Sequence, residues 1–367
     1  MRSIVGMMWW RKRWSCIEEY EMTETNTGKR EKWVDYVKVI ACILVVLGHF
    51  FQSMVKANII EASVLYNWFN TTIYYFHVPL FFICSGYLYQ RYTKIIQLKD
   101  WKNNILKKLL ALGIPYFIFS IATWLLKTVF AGNVNSEAAG LEETLFTNPS
   151  APYWYLYSLF FIFVITITYK NKTNKTLLLV FAIVLKGVAL LTGGVGIYAI
   201  STVMANEIWF VIGMCLTDIN MDKIKNRFVG IILGVIFITL SVVVYRQNIT
   251  NSLVAFLLGL LACASILWIM ISCRRRTNQF MDFMAKYTMP IFLMHTLFAA
   301  PVRTILLKIG ITNAVAQIVV GLLAGFIGPV IVAMILEKTK YLEFVLYPNK
   351  VIKIVQREKK SESSNGK

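Results

Sequence analysis

The sequence predicts an all-α, polytopic membrane protein with about ten transmembrane helices and both termini in the cytoplasm. Three observations lead there. Of its 367 residues 57% are hydrophobic and its mean hydropathy is +0.60. The apolar residues come in long runs, without the 2 or 3.6 periods of a half-buried soluble element. The basic residues alternate in density between successive polar segments.

Spans are expected at about 39–55, 73–90, 108–130, 152–169, 176–192, 198–217, 228–245, 251–273, 287–307 and 313–336. When each basic residue is assigned to the nearer inter-span segment, the odd-numbered segments hold 32 of the 38 Lys and Arg and the even ones 6. Basic residues collect on the cytoplasmic side, so this alternation orients the chain. It also accounts for the net charge of +19 without a nucleic-acid partner. The domain reading is a cytoplasmic N-terminal segment 1–32, a transmembrane domain 33–340 and a cytoplasmic tail 341–367. The apolar patch Ile4 to Trp10 is too short for a secretory signal, and no small-residue cleavage site follows it.

The first two spans hold two of the three histidines, His49 and His77; the third, His295, lies in the ninth. An ionisable side chain in a span is costly unless paired or solvated, so each is a functional candidate. Lys38 and His49 are eleven residues apart, close to three helical turns or about 16 Å. Asp35 and Cys42 fall near the same stripe. If Lys38 marks the membrane surface, His49 sits about halfway through a hydrocarbon core of roughly 30 Å. His77 is expected near the outer end of its span, and His295 near the middle. Each could instead bond a neighbouring carbonyl; for His295, the kink at Pro290 would free one.

Lys186 and Glu207 lie inside the fifth and sixth spans, where mutual pairing is the cheapest way to keep both. The alternative is that Glu207 orients a histidine or a sugar hydroxyl. Arg303, at the outer end of the ninth span, could meet an anionic ligand or reach to the interface. The segment between the second and third spans carries Arg91, Lys94, Lys99, Lys102, Lys107 and Lys108, compatible with a polyanionic cofactor. The six cysteines show no C-x-x-C pair, and no metal cluster is expected.

Asp35-x-x-Lys38 followed by His49 resembles the R-x10-H signature of the acyltransferase 3 family of membrane-bound O-acyltransferases. FHVPLFFICSGYLY is similar to that family's second-helix motif, LKKLLALGIPYF to its basic run ending in I-P-Y, APYWYLYSLFF to its W-Y-L segment, and AKYTMPIFLMHTLF to its late histidine helix. The resemblance runs from Trp33 to Lys340. It implies a ten-helix bundle that takes an acyl group, usually acetyl, from acyl-CoA at the cytoplasmic face. The acceptor would be a carbohydrate hydroxyl: a surface polysaccharide, a glycolipid or a lipid-linked sugar. His49 matches the family's essential histidine, with His77 and Asp35 as further catalytic candidates. Lys38, Lys107 and Lys108 would contact the cofactor, and Glu207, His295 and Arg303 the acceptor. Lys38 stands where arginine is usual, and no R-x-x-R precedes Pro115. Such a protein would sit in the lipid bilayer of a bacterial plasma membrane.

The residues agree with this chemistry on their own terms. O-acylation needs a base for the attacking hydroxyl, and imidazole is the commonest choice; whether His49 acts as base or briefly carries the acyl group stays open. CoA is too polar to cross, so a channel admitting only the thioester arm is expected. The rival class is a transporter or exporter of a small polar solute, which also uses polar groups at mid-membrane.

Overall fold

The computed structural model describes residues 31–130 and 139–352. All regular structure among them is helical. Residues 1–30, 131–138 and 353–367 lie outside the described residues.

The helices are α1 (Lys32–Lys56), α2 (Val64–Tyr74), α3 (His77–Tyr92), α4 (Leu98–Lys108), α5 (Ile114–Val129), α6 (Trp154–Ile165), α7 (Lys172–Thr192), α8 (Tyr198–Cys215), α9 (Arg227–Arg246), α10 (Ser252–Ser272), α11 (Gln279–Lys308), α12 (Ala314–Leu336) and α13 (Lys340–Leu346). A π-helical turn, Leu109–Gly113, joins α4 and α5 into one continuous rod. Among the described residues eight helices are long and apolar enough to cross a membrane. The second and fourth expected spans are shorter: α3 has 16 residues and α6 has 12.

Asparagine starts most of the long helices. The side chains of Asn171, Asn226, Asn251, Asn278 and Asn313 accept from backbone N–H groups of the first turns of α7, α9, α10, α11 and α12. Each satisfies a donor that the helix itself leaves open. Helix α7 stops at Gly193, whose φ of 72° closes the last turn at no steric cost to a residue without Cβ.

Helices α1, α3, α8 and α11 form the interior, and α7 and α9 the outside. Ala182 is the one buried residue described in α7, whereas Leu177, Phe181, Val184 and Leu191 are exposed. Water would not tolerate such a face; hydrocarbon does.

Two contacts set the interior. Helices α3 and α8 cross with their backbones touching: a Cβ on Gly86 would lie 1.9 Å from the Phe210 carbonyl oxygen, and one on Gly213 would lie 2.0 Å from that of Ile83. Helices α1 and α11 run side by side in the same direction. Tyr36 Oη donates to Asp282 at 2.8 Å, and the Cys42 thiol faces the Thr288 carbonyl at 3.6 Å. His49 stacks on His295 with ring centroids 5.5 Å apart. The pairs step upward in register, so residues about two turns apart on one helix meet residues about two turns apart on the other. The Gly321-x-x-x-Gly325 stripe of α12 then lies over this pair, with Gly321 against the Phe50 ring and Gly325 near Val46 and the His295 carbonyl.

The expected Lys186–Glu207 pair does not form. Lys186 donates to the Ala205 carbonyl at 3.1 Å and lies over the Phe256 ring, while Glu207 accepts from Thr166 Oγ1 at 2.7 Å. The two residues sit on antiparallel neighbours but on different faces. A backbone carbonyl and an aromatic face satisfy the lysine at less cost than a buried ion pair.

Candidate active site

The site is built from the α1–α11 ladder. On α1, His49, Gln52, Ser53 and Lys56 follow the i, i+3, i+4, i+7 spacing of one helical face. On α11, Thr296, Ala300, Thr304 and Lys308 follow at steps of four. These two stripes, with Thr123, Lys127 and Phe130 of the α5 end and its following turn, line a cavity of about 370 Å³. It opens at the end of the bundle where α1, α5 and α11 finish, the end that the charge alternation assigns to the outer face.

His49 is half-buried and forms part of the cavity wall. Its ring packs on that of His295, the planes 30° apart. His295 Nδ1 lies 3.1 Å from the Ile291 carbonyl oxygen and 3.0 Å from that of Phe292. Carbonyls only accept, so Nδ1 carries the proton and Nε2 holds a lone pair. That Nε2 is buried and has no hydrogen-bond partner among the described residues. A buried acceptor left open is unusual enough to need an explanation. Here it sits on the ring that backs His49.

His295 therefore bonds its own turn and not the carbonyl released by Pro290. The released group is the Lys286 carbonyl, four residues before the proline, and it accepts from the Tyr347 hydroxyl at 3.4 Å. The turn bearing His295 is held from the other side by Tyr153. Its hydroxyl donates to the Leu293 carbonyl at 3.0 Å and pairs with Thr123 Oγ1 at 2.8 Å. One buried tyrosine thus ties α5 and α11 together beside the cavity.

His77 is buried at the start of α3. Its Nδ1 donates to the Ile73 carbonyl at 2.6 Å, and the Tyr74 ring meets it edge-on at 4.7 Å. It lies within electrostatic range of His49 but does not line the cavity. Arg303 does line it: buried within α11, it donates to the Ser53 carbonyl at 3.1 Å and to the Ser53 hydroxyl. The opposite end of α1 carries Asp35 and Lys38, both half-buried and both within electrostatic range of Cys84 of α3.

The remaining candidates gather elsewhere. Lys108 places its ammonium 4.3 Å from the centre of the Phe163 ring, which packs on Tyr89 and Phe210. Tyr89 donates to the Thr166 carbonyl, and the Thr166 hydroxyl to Glu207. Lys108 and Glu207 thus share one buried neighbourhood, away from the histidine cavity. Lys107 accepts at its carbonyl from Asn349 at 3.5 Å, which brings the chain beyond α13 to the same end. Sequence reasoning did not single out Gln52, Lys56, Lys127 or Lys308. For the first two the signal was present, since both continue the His49 stripe along one helix.

The comparisons with known proteins bear on the whole of this architecture. The nodulation protein NolL of Mesorhizobium japonicum is 28% identical over 140 residues, covering 38% of this chain and 36% of that relative. The alignment thus spans little more than a third of that protein. No solved structure matches the chain. The family described as an acyltransferase domain matches residues 31–336, from the start of α1 to the end of α12. A family match that encloses all three histidine-bearing helices, on a helical bundle with eight membrane-length helices among the described residues, makes this chain a member of the acyltransferase 3 family.

Proposed function

We propose that the protein transfers an acyl group, most simply acetyl, from acyl-CoA to a carbohydrate hydroxyl, and that His49 is the base. The acceptor is a cell-surface polysaccharide, a glycolipid or a lipid-linked sugar, and the setting is a bacterial plasma membrane. The observation that carries this reading is the half-buried His49 in a cavity wall, backed by a second imidazole whose Nε2 is open.

The reaction balances without further reagents. The acceptor hydroxyl gives its proton to the His49 imidazole as its oxygen attacks the thioester carbonyl. The new C–O bond forms, the C–S bond breaks, and the imidazolium returns the proton to the departing sulfur. The products are an ester and free CoA. Imidazole suits both halves because the same ring nitrogen can accept a proton from the hydroxyl and then return it to the sulfur. His295 positions the His49 ring; His77 and Asp35 remain candidates for the catalytic group. The donor binds at the basic opposite end, where Lys107 and Lys108 stand with Lys38, and only its acyl-bearing arm reaches inward.

The test uses membranes from cells expressing the gene, supplied with radiolabelled acetyl-CoA. Label should pass into saccharide with equimolar release of CoA, and membranes lacking the protein should show neither. Saccharide that crosses these membranes unlabelled, with no CoA release, would favour a transporter.

A further inference from the structure

We infer that the acceptor carries an anionic group, a phosphate or a carboxylate, close to the hydroxyl that is acylated. This inference rests on the reading of the cavity as the acceptor site. The segments assigned to the outer face hold 6 of the 38 basic residues. Four of those, Lys56, Lys127, Arg303 and Lys308, line the His49 cavity. The positive-inside rule explains why basic residues are scarce at that end. It does not explain why the few present converge on one cavity.

They come from three separate elements. Lys56 ends α1 two turns above His49, Lys127 lies in the last turn of α5, and Arg303 and Lys308 belong to the end of α11. No carboxylate is found among the described residues that line the cavity. A site for a neutral sugar needs hydrogen-bond acceptors as well as donors, because each hydroxyl offers both. Lysine and arginine supply donors alone. Gln52, Ser53, Thr123, Thr296 and Thr304 supply the acceptors that sugar hydroxyls need. The four converging cations add positive charge beyond that need, which matches a ligand bearing negative charge, and a cleft rich in one sign of charge concentrates counter-charged ligands.

Arginine at the inner part of the wall adds geometry. Arg303 is held against Ser53, one turn from His49 on the same helix. The planar guanidinium suits phosphate and carboxylate oxygens, while the lysines act as point charges nearer the mouth. An anion seated there would bring its neighbouring hydroxyl toward His49.

The test is titration calorimetry on the full chain in neutral detergent with three probes: a hyaluronan tetrasaccharide carrying carboxylates, glucose 1-phosphate carrying phosphate, and uncharged cellotetraose. At least one anionic probe should bind about tenfold or more tightly than cellotetraose, and which one it is separates carboxylate from phosphate as the source of charge. The preference should shrink at 1 M salt, where the screening length falls to about 3 Å. It should also vanish in the Lys56→Gln/Lys127→Gln/Lys308→Gln variant. Equal binding of all three probes to the wild type, or a preference indifferent to salt, would overturn the inference whatever the variant does. CoA release measured on the same preparation separates the two claims. Release without anion preference removes this inference alone, whereas anion preference without release removes the acyltransfer reading of the cavity.

Discussion

His49→Ala is expected to lower acyl transfer by about 10²- to 10⁴-fold, the range that a positioned acid or base contributes. The loss should fall on kcat, since the imidazole acts on a proton in flight and not on the bound acceptor. Folding should be spared. Alanine is the best helix former, and the side chain removed lies at a cavity wall and not in close-packed interior. His295→Ala should act through His49: a smaller fall in kcat, KM unchanged, and little further loss when added to His49→Ala. Such non-additivity marks residues that work as a unit. It would be measured as CoA release and labelled ester on purified protein. A His49→Ala variant retaining more than about a tenth of wild-type transfer would contradict the assignment of the base.

The second large effect concerns the frame that carries the histidines. Gly86→Ala and Gly213→Ala are each expected to destabilise the protein by about 1–3 kcal/mol or more, the cost of forcing atoms into a closed interior. In each case the new Cβ would strike a backbone carbonyl, 1.9 Å away for Gly86 and 2.0 Å for Gly213. A backbone cannot step aside as a side-chain tip can, so α3 and α8 must separate along their length. Gly187 is the control. It lies inside α7 with nothing within 4 Å of where a Cβ would stand, so Gly187→Ala should be neutral or stabilising by up to about 1 kcal/mol through helix propensity. Melting temperatures in detergent read all three. Unchanged melting of both Gly86→Ala and Gly213→Ala would mean that the two helices do not touch as described.

The contrast between these positions shows what a sequence carries and what it does not. The long apolar runs mark the helices because hydrocarbon imposes one local rule on every residue it touches, and α1, α7, α9, α10 and α12 all follow it. Asn171, Asn226, Asn251, Asn278 and Asn313 mark helix starts for an equally local reason. The functional stripe was half legible. Lys38 and His49 share a face by arithmetic alone, and Gln52 and Lys56 extend that face. The meeting of His49 with His295 depended on α11 lying parallel to α1 in one register, far along the chain, and no local pattern encodes that.

Rotation about the helix axis was the least legible quantity. Lys186 and Glu207 have the right charges and depths to pair, but their helices present them to different neighbours, Ala205 and Phe256 for one and Thr166 for the other. The glycines of α3 and α8 fail for the same reason. Gly86 and Gly213 look like Gly187 in sequence; only the crossing of two particular helices turns them into contact points. The break between α2 and α3 at Tyr75 and Phe76 likewise shortens a span that hydropathy draws as continuous.

We propose that a hydroxyl outside the hydrocarbon is acylated with His49 as base. It is tested most directly by mass spectrometry of surface glycans from cells carrying the wild-type gene, the deletion and His49→Ala at matched protein levels. The expected result is one glycan species that loses the mass of a single acyl group in both the deletion and the variant. Glycans that lose the acyl mass in the deletion but keep it at wild-type levels in His49→Ala would contradict the account.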